Sequence, residues 1–151
     1  MSTFVIDASI AVKWVVDEPG SAEALRLRRA RLIAPGLLIA ECANILWKKS
    51  RRLELSSGEA ILAARLLQAS GVEIVPERFL LESAAKLAVE LNHPAYDCVY
   101  LALALEQGCR FATADARFVR KVHQAPRRAL RDRAIGLGEA AAMLAGPGNP
   151  G

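Results

Sequence analysis

The sequence predicts an α/β fold, a three-layer sandwich in which a mostly parallel central sheet carries helices on both faces. Short apolar runs rich in β-branched and aromatic residues alternate with helical patterns along the whole chain. The 151 residues are 53% hydrophobic and 24% charged, which suits one compact domain with a buried core. Strands that are joined through helices run parallel, because each crossover returns the chain to the same end of the sheet.

Several classes of protein do not fit this composition. The longest apolar run, residues 98–105, has eight residues, whereas a membrane-spanning helix needs about 20. The first six residues contain no basic side chain, so we expect no signal peptide, no membrane partner and a cytoplasmic location. Three cysteines without a CxxC pair lie in apolar stretches, which indicates core thiols rather than a zinc site.

Apolar runs predict five strands, of which the first four end at a carboxylate or just before a proline. A run that is apolar throughout is typical of a strand buried on both faces of a parallel sheet. The predicted strands are residues 3–7, 32–34, 72–75, 110–114 and 133–137.

Helical patterns fill the intervals between these strands. Ser21 is a predicted N-cap, Ser56 and Glu59 match a capping box, and Gly71 is a predicted left-handed stop. The Gly/Pro-rich residues 146–151 are expected to form a flexible tail, which leaves residues 1–145 as the domain. The predicted helices are residues 9–16, 21–31, 37–52, 56–70, 77–91, 95–107 and 117–123.

Apolar spacing predicts which helix side chains face the core. The expected buried face of residues 37–52 includes Ile39, and that of residues 77–91 includes Leu81. His93, which precedes Pro94, is interpreted as a turn residue. Four aromatic residues are interpreted as core rather than as base-stacking platforms: Trp14, Trp47, Tyr96 and Tyr100.

Positive charge is concentrated toward the end of the chain. Residues 110–151 carry a net charge of +5, whereas residues 1–109 carry −1. Fifteen of the twenty basic residues are arginine, whose planar guanidinium matches phosphate geometry. This distribution is compatible with a polyanionic partner and equally with a solvated basic face.

Four carboxylates occupy positions where the pattern is otherwise apolar. Asp7 and Asp115 follow predicted buried strands, and the carboxyl ends of parallel strands face the crevice where ligands bind. Glu41 and Asp97 interrupt apolar helical segments. Taken singly, Asp7, Asp97 or Asp115 could cap a turn or a helix.

Together, the four acids favour a metal site. A buried carboxylate is costly unless it is paired, protonated or bound to a metal, and no basic residue lies beside these acids in the sequence. Carboxylate ligands without cysteine or histidine select Mg²⁺ or Mn²⁺. A nucleic acid is the natural substrate of such a site near an arginine-rich surface.

Four motifs occur in the order that is typical of PIN-domain proteins, and the chain resembles the VapC-like ribonuclease toxins of type II toxin-antitoxin systems. The resemblance covers residues 3–123. The motifs are V-I-D-A-S at 5–9, A-E-C-A-N-I-L at 40–46, A-Y-D-C-V-Y-L-A-L-A at 95–104 and F-A-T-A-D-A-R-F at 111–118.

This resemblance implies a PIN-like fold and a function. By position, the Mg²⁺ or Mn²⁺ ligands would be Asp7, Glu41, Asp97 and Asp115. The polar residues Ser9 and Thr113 match positions that orient the site. The activity would be metal-dependent hydrolysis of RNA phosphodiester bonds, with a cognate antitoxin protein as partner and a homodimer as the expected assembly.

Two other functions remain open at this point. A nucleic-acid-binding PIN-like module without the toxin role is one, although loss of a site acid would be expected in a module with an inactive site. A phospho-acceptor regulatory domain is the other, and it requires an adjacent acidic pair after the first strand. Here Asp7 is followed by Ala8 and Ser9, and Ser9 also disfavours a D-x-D phosphatase.

Overall fold

The computed structural model describes residues 1–145 and shows a five-stranded sheet in which every strand pair is parallel. The predicted α/β sandwich is therefore confirmed. The predicted tail, residues 146–151, lies outside the described residues. The strands are β1 (Thr3–Ile6), β2 (Arg31–Pro35), β3 (Glu73–Val75), β4 (Arg110–Thr113) and β5 (Ala134–Gly136).

Helices connect the strands and follow the last one. Three short 3₁₀ turns supplement them at Val12–Trp14, Arg78–Leu80 and Arg128–Leu130. The helices are α1 (Ala8–Ala11), α2 (Ser21–Leu27), α3 (Leu37–Arg51), α4 (Ser57–Gln68), α5 (Leu81–Leu91), α6 (Ala95–Gln107), α7 (Ala116–His123) and α8 (Leu137–Ala145).

Side chains of the strands alternate between two hydrophobic cores, one on each face of the sheet. Phe4 and Ile6 of β1 pack in the core that includes side chains of α1, α2, α3 and α8. Val5, between them, packs in the core that includes side chains of α5, α6 and α7. Because each core contains helix residues from its own side, the sheet is the middle of three layers.

The order of the strands brings the carboxyl ends of β1 and β4 together in the middle of the sheet. The spatial order is β3-β2-β1-β4-β5, so the chain first moves outward from β1 to β3 and then returns to place β4 beside β1. Val5 of β1 is in register with Phe111 of β4. Ligands bind at such a reversal, outside the carboxyl ends of the two central strands. Asp7 and Asp115 follow those two strands directly.

Two of the predicted helix signals are wrong. Gly20, with φ of 91°, precedes α2, whereas the Ser21 hydroxyl accepts from the Glu18 amide and donates to the Val16 carbonyl within the preceding turn. Gly71 does not adopt a positive φ, because α4 already ends at Gln68. The capping box of α4 is present as predicted: Glu59 N lies 3.0 Å from Ser56 Oγ, and Ser56 N lies 2.9 Å from Glu59 Oε1.

The predicted buried faces of α3 and α5 include residues that are exposed. Ile39 is 62% exposed and Leu81 is 74% exposed, since each lies at the edge of a face whose centre is buried. The prediction that Trp47 and Tyr96 belong to the core is wrong, since both are exposed, whereas Tyr100 is fully buried as predicted. None of the helices within residues 1–145 has both the length and the apolar character required to cross a membrane.

Candidate active site

Asp7 lies directly after β1, at the carboxyl end of the central strand pair. It is 7% exposed, and both of its carboxylate oxygens accept hydrogen bonds. The Ser9 hydroxyl donates to Oδ1 at 2.5 Å, and the Thr113 hydroxyl donates to Oδ2 at 2.6 Å. Each carboxylate oxygen has a second lone pair, so these bonds fix the carboxylate without exhausting its capacity as an acceptor.

The same two hydroxyls join the turn after β1 to the turn after β4. The Ala114 amide donates to Ser9 Oγ at 3.1 Å, and the Asp115 amide donates to Thr113 Oγ1 at 3.1 Å. Ser9 and Thr113 therefore hold Asp7 and the backbone of Asp115 in one network.

Asp115 caps the helix that follows it. Its Oδ1 accepts the amides of Arg117 at 3.1 Å and Phe118 at 3.2 Å at the start of α7. A carboxylate at a helix N-terminus is stabilised by the free amides and by the helix dipole. The capping interpretation raised for Asp115 is thus correct, and both of these bonds use one oxygen of the carboxylate.

Glu41 is held by a residue that the sequence motifs alone did not identify as functional. The hydroxyl of Tyr100 donates a short hydrogen bond to Glu41 Oε1, which links α6 to α3. The Tyr100 ring is fully buried and stacks on Phe111, with 5.3 Å between ring centroids. Burial and the Glu41 carboxylate raise the pKa of Tyr100 well above its usual range, so the phenol keeps its proton and remains a donor.

Asp97 also has an unexpected partner. It is the third residue of α6 and does not cap that helix, whose N-cap is Pro94. His93 Nε2 lies 2.7 Å from Asp97 Oδ2, so the interpretation of His93 as a simple turn residue was incomplete. The sequence contained a local signal for His93, which precedes Asp97 by four positions, but none for Tyr100, whose partner Glu41 lies 59 residues away.

The negative charges of Glu41 and Asp97 act on Asp7, and the charge of Asp97 also acts on Glu41. Burial raises the pKa of Asp7 from 3.8 to about 6; the hydrogen bonds from Ser9 and Thr113 oppose this rise, and the negative charges of Asp97 and Glu41 add to it. Burial also raises the pKa of Glu41, against the hydrogen bond from Tyr100 and together with the charge of Asp97. Asp115 is connected to Asp7 through its backbone amide and Thr113, and its carboxylate caps α7.

The donor set fits a hard divalent cation. Within residues 1–145, none of the four acids forms an ion pair with a lysine or arginine, and no three His, Cys, Asp or Glu side chains are already drawn together as ligands of one ion. Carboxylate oxygens, completed by water, match the coordination of Mg²⁺ and Mn²⁺. Such a cation would stabilise carboxylates whose pKa values are raised mainly by burial and, to a smaller extent, by one another's charge.

The neighbouring cysteines do not offer an alternative nucleophile. Burial is the main cause that raises the pKa of Cys42 to about 12 and that of Cys98 to about 11. Both thiols therefore stay protonated at neutral pH, and the reactive form of cysteine is the thiolate. The three cysteines are free, as the sequence indicated.

Comparison with known proteins identifies the family of the chain. The model of the PIN domain matches residues 4–123, which contain all four acids. The chain belongs to the PIN-domain family. PIN domains are nucleases. A comparison with curated protein sequences finds no match.

Two solved structures resemble the PIN domain in fold. The crystal structure of PAE2754 from Pyrobaculum aerophilum is 23% identical, has a TM-score of 0.72, and is aligned over 95% of this chain and 90% of its own. The second is Mycobacterium tuberculosis VapC20 (Rv2549c), described as a Sarcin-Ricin loop cleaving toxin. It is 17% identical, with a TM-score of 0.60 over 79% of this chain and 94% of its own.

Proposed function

We propose that this PIN domain is a Mg²⁺- or Mn²⁺-dependent endoribonuclease and the toxin of a toxin-antitoxin pair. The observation that carries the proposal is the group of acids at the β1 and β4 ends, where Asp7 is buried without a cationic partner and has a pKa of about 6. The family consists of nucleases, and a fold neighbour is a VapC toxin.

Each acid has a proposed role at the metal site. Asp7, Glu41, Asp97 and Asp115 supply ligand oxygens, directly or through water. Ser9 and Thr113 orient Asp7 by donating to its two oxygens, and Tyr100 orients Glu41. A bound divalent cation would lower the pKa of a water and stabilise the charge that develops on the phosphodiester oxygens.

The proposed substrate is RNA, held partly by the basic segment that follows Asp115. Arg117 and Arg120 are exposed on α7, the helix that starts at the acids. Guanidinium groups beside a nuclease site bind phosphates along the strand without reading its sequence. Repulsion between the acids and RNA is reduced once a cation is bound.

An antitoxin protein and a second copy of the chain are the proposed partners, and the cytoplasm is the proposed site of action. An apolar cavity of about 310 Å³ lies between α3 and α4, and its lining includes Ile39, Cys42 and Ala43. An antitoxin segment with apolar side chains is the proposed occupant of this cavity. Apolar side chains exposed on α4 favour a homodimer.

Asp97→Asn tests the proposed function. The substitution preserves volume, and the amide oxygen of Asn can still accept from His93, so the fold should be retained. It removes the ligand charge, and single-turnover cleavage of a structured RNA should fall about 100-fold or more. Growth arrest on expression in a host should disappear together with cleavage.

Asp17→Asn is the matched control, because Asp17 is exposed and is not one of the four acids of the proposed site. This variant should cleave RNA at the wild-type rate. Circular dichroism establishes that both variants are folded. A folded Asp97→Asn protein that cleaves as fast as wild type would contradict the proposal.

A further inference from the structure

His93 stands between Asp97 and a lysine from another helix. Its Nε2 lies 2.7 Å from Asp97 Oδ2, and its Nδ1 lies 3.5 Å from Lys121 Nζ. Lys121 belongs to α7 and also donates to the Asn92 carbonyl at 2.9 Å. The three side chains form a continuous row that ends at a carboxylate of the proposed metal site.

The chemistry of the lysine assigns the direction of these hydrogen bonds. An ammonium group has three donors and no acceptor, so Nδ1 of His93 must present its lone pair to Lys121. The ring proton is then on Nε2, where it is donated to Asp97 Oδ2. A donor at Oδ2 leaves Oδ1 as the oxygen directed to another ligand.

The surroundings of His93 keep its ring in this orientation. The His93 ring packs against Phe118 of α7, with ring centroids 4.8 Å apart. Asn92, directly before it, closes α5 in the left-handed conformation with φ of 49°, and its carbonyl receives the Lys121 ammonium. His93 and Asp97 are mostly buried, with side-chain exposures of 18% and 28%.

One helix thereby acts on two acids of the site. The first turn of α7 donates the amides of Arg117 and Phe118 to Asp115, and the second turn carries Lys121, which contacts His93. Phe118 serves both ends, since its amide binds Asp115 and its ring packs against His93. The positions of Asp115 and Asp97 are therefore coupled through α7.

We propose that His93 is a positioning residue, supported by Lys121, that holds Asp97 in the orientation required for metal binding. The inference rests on the proposed metal-dependent function and adds residues to it. A carboxylate held by a neighbouring donor loses less conformational entropy when it ligates an ion. Loss of such a partner costs a metal site about 10-fold to 100-fold in affinity.

Mn²⁺ affinity, measured at one fixed pH by the EPR signal of free Mn²⁺, tests the inference without depending on cleavage. In His93→Ala the Kd should rise about 10-fold or more. In His93→Gln it should return to within about three-fold of wild type, because the Gln amide nitrogen can reach the place of Nε2 and donate to Asp97. His123→Ala, which removes the other histidine of the chain, is the matched control and should bind as wild type does.

A double-mutant cycle separates positioning from a general structural effect. If His93 acts through Asp97, His93→Ala should weaken Mn²⁺ binding little further in an Asp97→Asn background. Lys121→Met removes the ammonium group that contacts Nδ1 and leaves the His93 ring in place. It should weaken Mn²⁺ binding less than His93→Ala does. Melting temperatures in EDTA establish that each variant is folded.

The outcomes distinguish the inference from the function on which it rests. Wild-type protein that binds no Mn²⁺ would overturn the proposed function together with the role of His93. Wild-type protein that binds Mn²⁺, with His93→Ala and Lys121→Met binding equally well, would overturn the role of His93 alone. Equal weakening by His93→Ala in the wild-type and Asp97→Asn backgrounds would also overturn it.

Discussion

The carboxyl group of Asp7 changes its proton affinity when the chain folds. Burial raises its pKa from 3.8 to about 6, despite two hydroxyl donors that favour the charged form. Between about pH 4 and pH 6 the folded state therefore binds more protons than the unfolded state. Stability falls as pH rises through this interval and stays lower above it, because the buried charge is then unneutralised.

Asp7→Asn should remove this pH dependence. In EDTA, the free energy of unfolding of wild type relative to the variant should fall between pH 4 and pH 7 by about 3 kcal/mol at most, the equivalent of a pKa change from 3.8 to about 6. Urea denaturation at the two pH values measures the change. Added Mn²⁺ should stabilise wild type more than the variant at pH 7. Parallel pH profiles for the two proteins would contradict the assignment.

Among the helices, α7 has one buried apolar face and one exposed basic face. Phe118, Val119 and Val122 are buried against the sheet, whereas Arg117 and Arg120 are exposed three positions apart on the outer surface. Since Asp115 fixes the start of this helix, its basic face begins at the proposed metal site. RNA leaving the site along α7 would meet two guanidinium groups.

Replacing Arg117 and Arg120 together by glutamine should weaken RNA binding more than it slows catalysis. In an Asp97→Asn background, which prevents cleavage, the slope of log affinity against log salt should become shallower by about 0.7 per lost phosphate contact. Arg127→Gln is the control, because the Arg127 guanidinium is paired with Glu90 at 3.1 and 3.2 Å. An unchanged slope in the double variant would exclude this face from the RNA path.

At the scale of the whole molecule, the exposed apolar residues of α4 predict self-association. Leu62 and Leu66 are 55% and 53% exposed and lie one helical turn apart, so they form a stripe that water would otherwise cover. Sedimentation velocity at micromolar concentration should show a dimer. Leu62→Glu with Leu66→Glu should shift it to monomer, and a wild-type protein that is already monomeric would refute the prediction.

The sequence predicted the strands of the sheet but not their spatial order. Strand ends before Asp7 and Asp115 were readable because apolar runs and carboxylates are local signals. The placement of β4 beside β1 was not, since the pairing of distant strands leaves no local pattern. Helix α8 was missed because it begins directly after β5, with no intervening turn or polar cap.

Local signals likewise predicted only part of the site. The four acids were conspicuous because each interrupts apolar surroundings, and the family resemblance assigned Ser9 and Thr113. Tyr100 was correctly predicted to lie in the core. Its hydroxyl donates to Glu41, which lies on another helix and 59 residues away in the chain. The contact of His93 with Asp97 was within reach of the sequence, four positions apart, whereas its contact with Lys121, 28 residues away, leaves no local pattern.

Metal dependence of RNA cleavage tests the central claim most directly. A structured RNA is incubated with wild-type protein in EDTA, and Mg²⁺ or Mn²⁺ is then added in excess, with Asp97→Asn as the control for contaminating nuclease. We expect no cleavage in EDTA, cleavage after either ion is added, and little from Asp97→Asn under both conditions. Wild-type cleavage that continues undiminished in EDTA would contradict it.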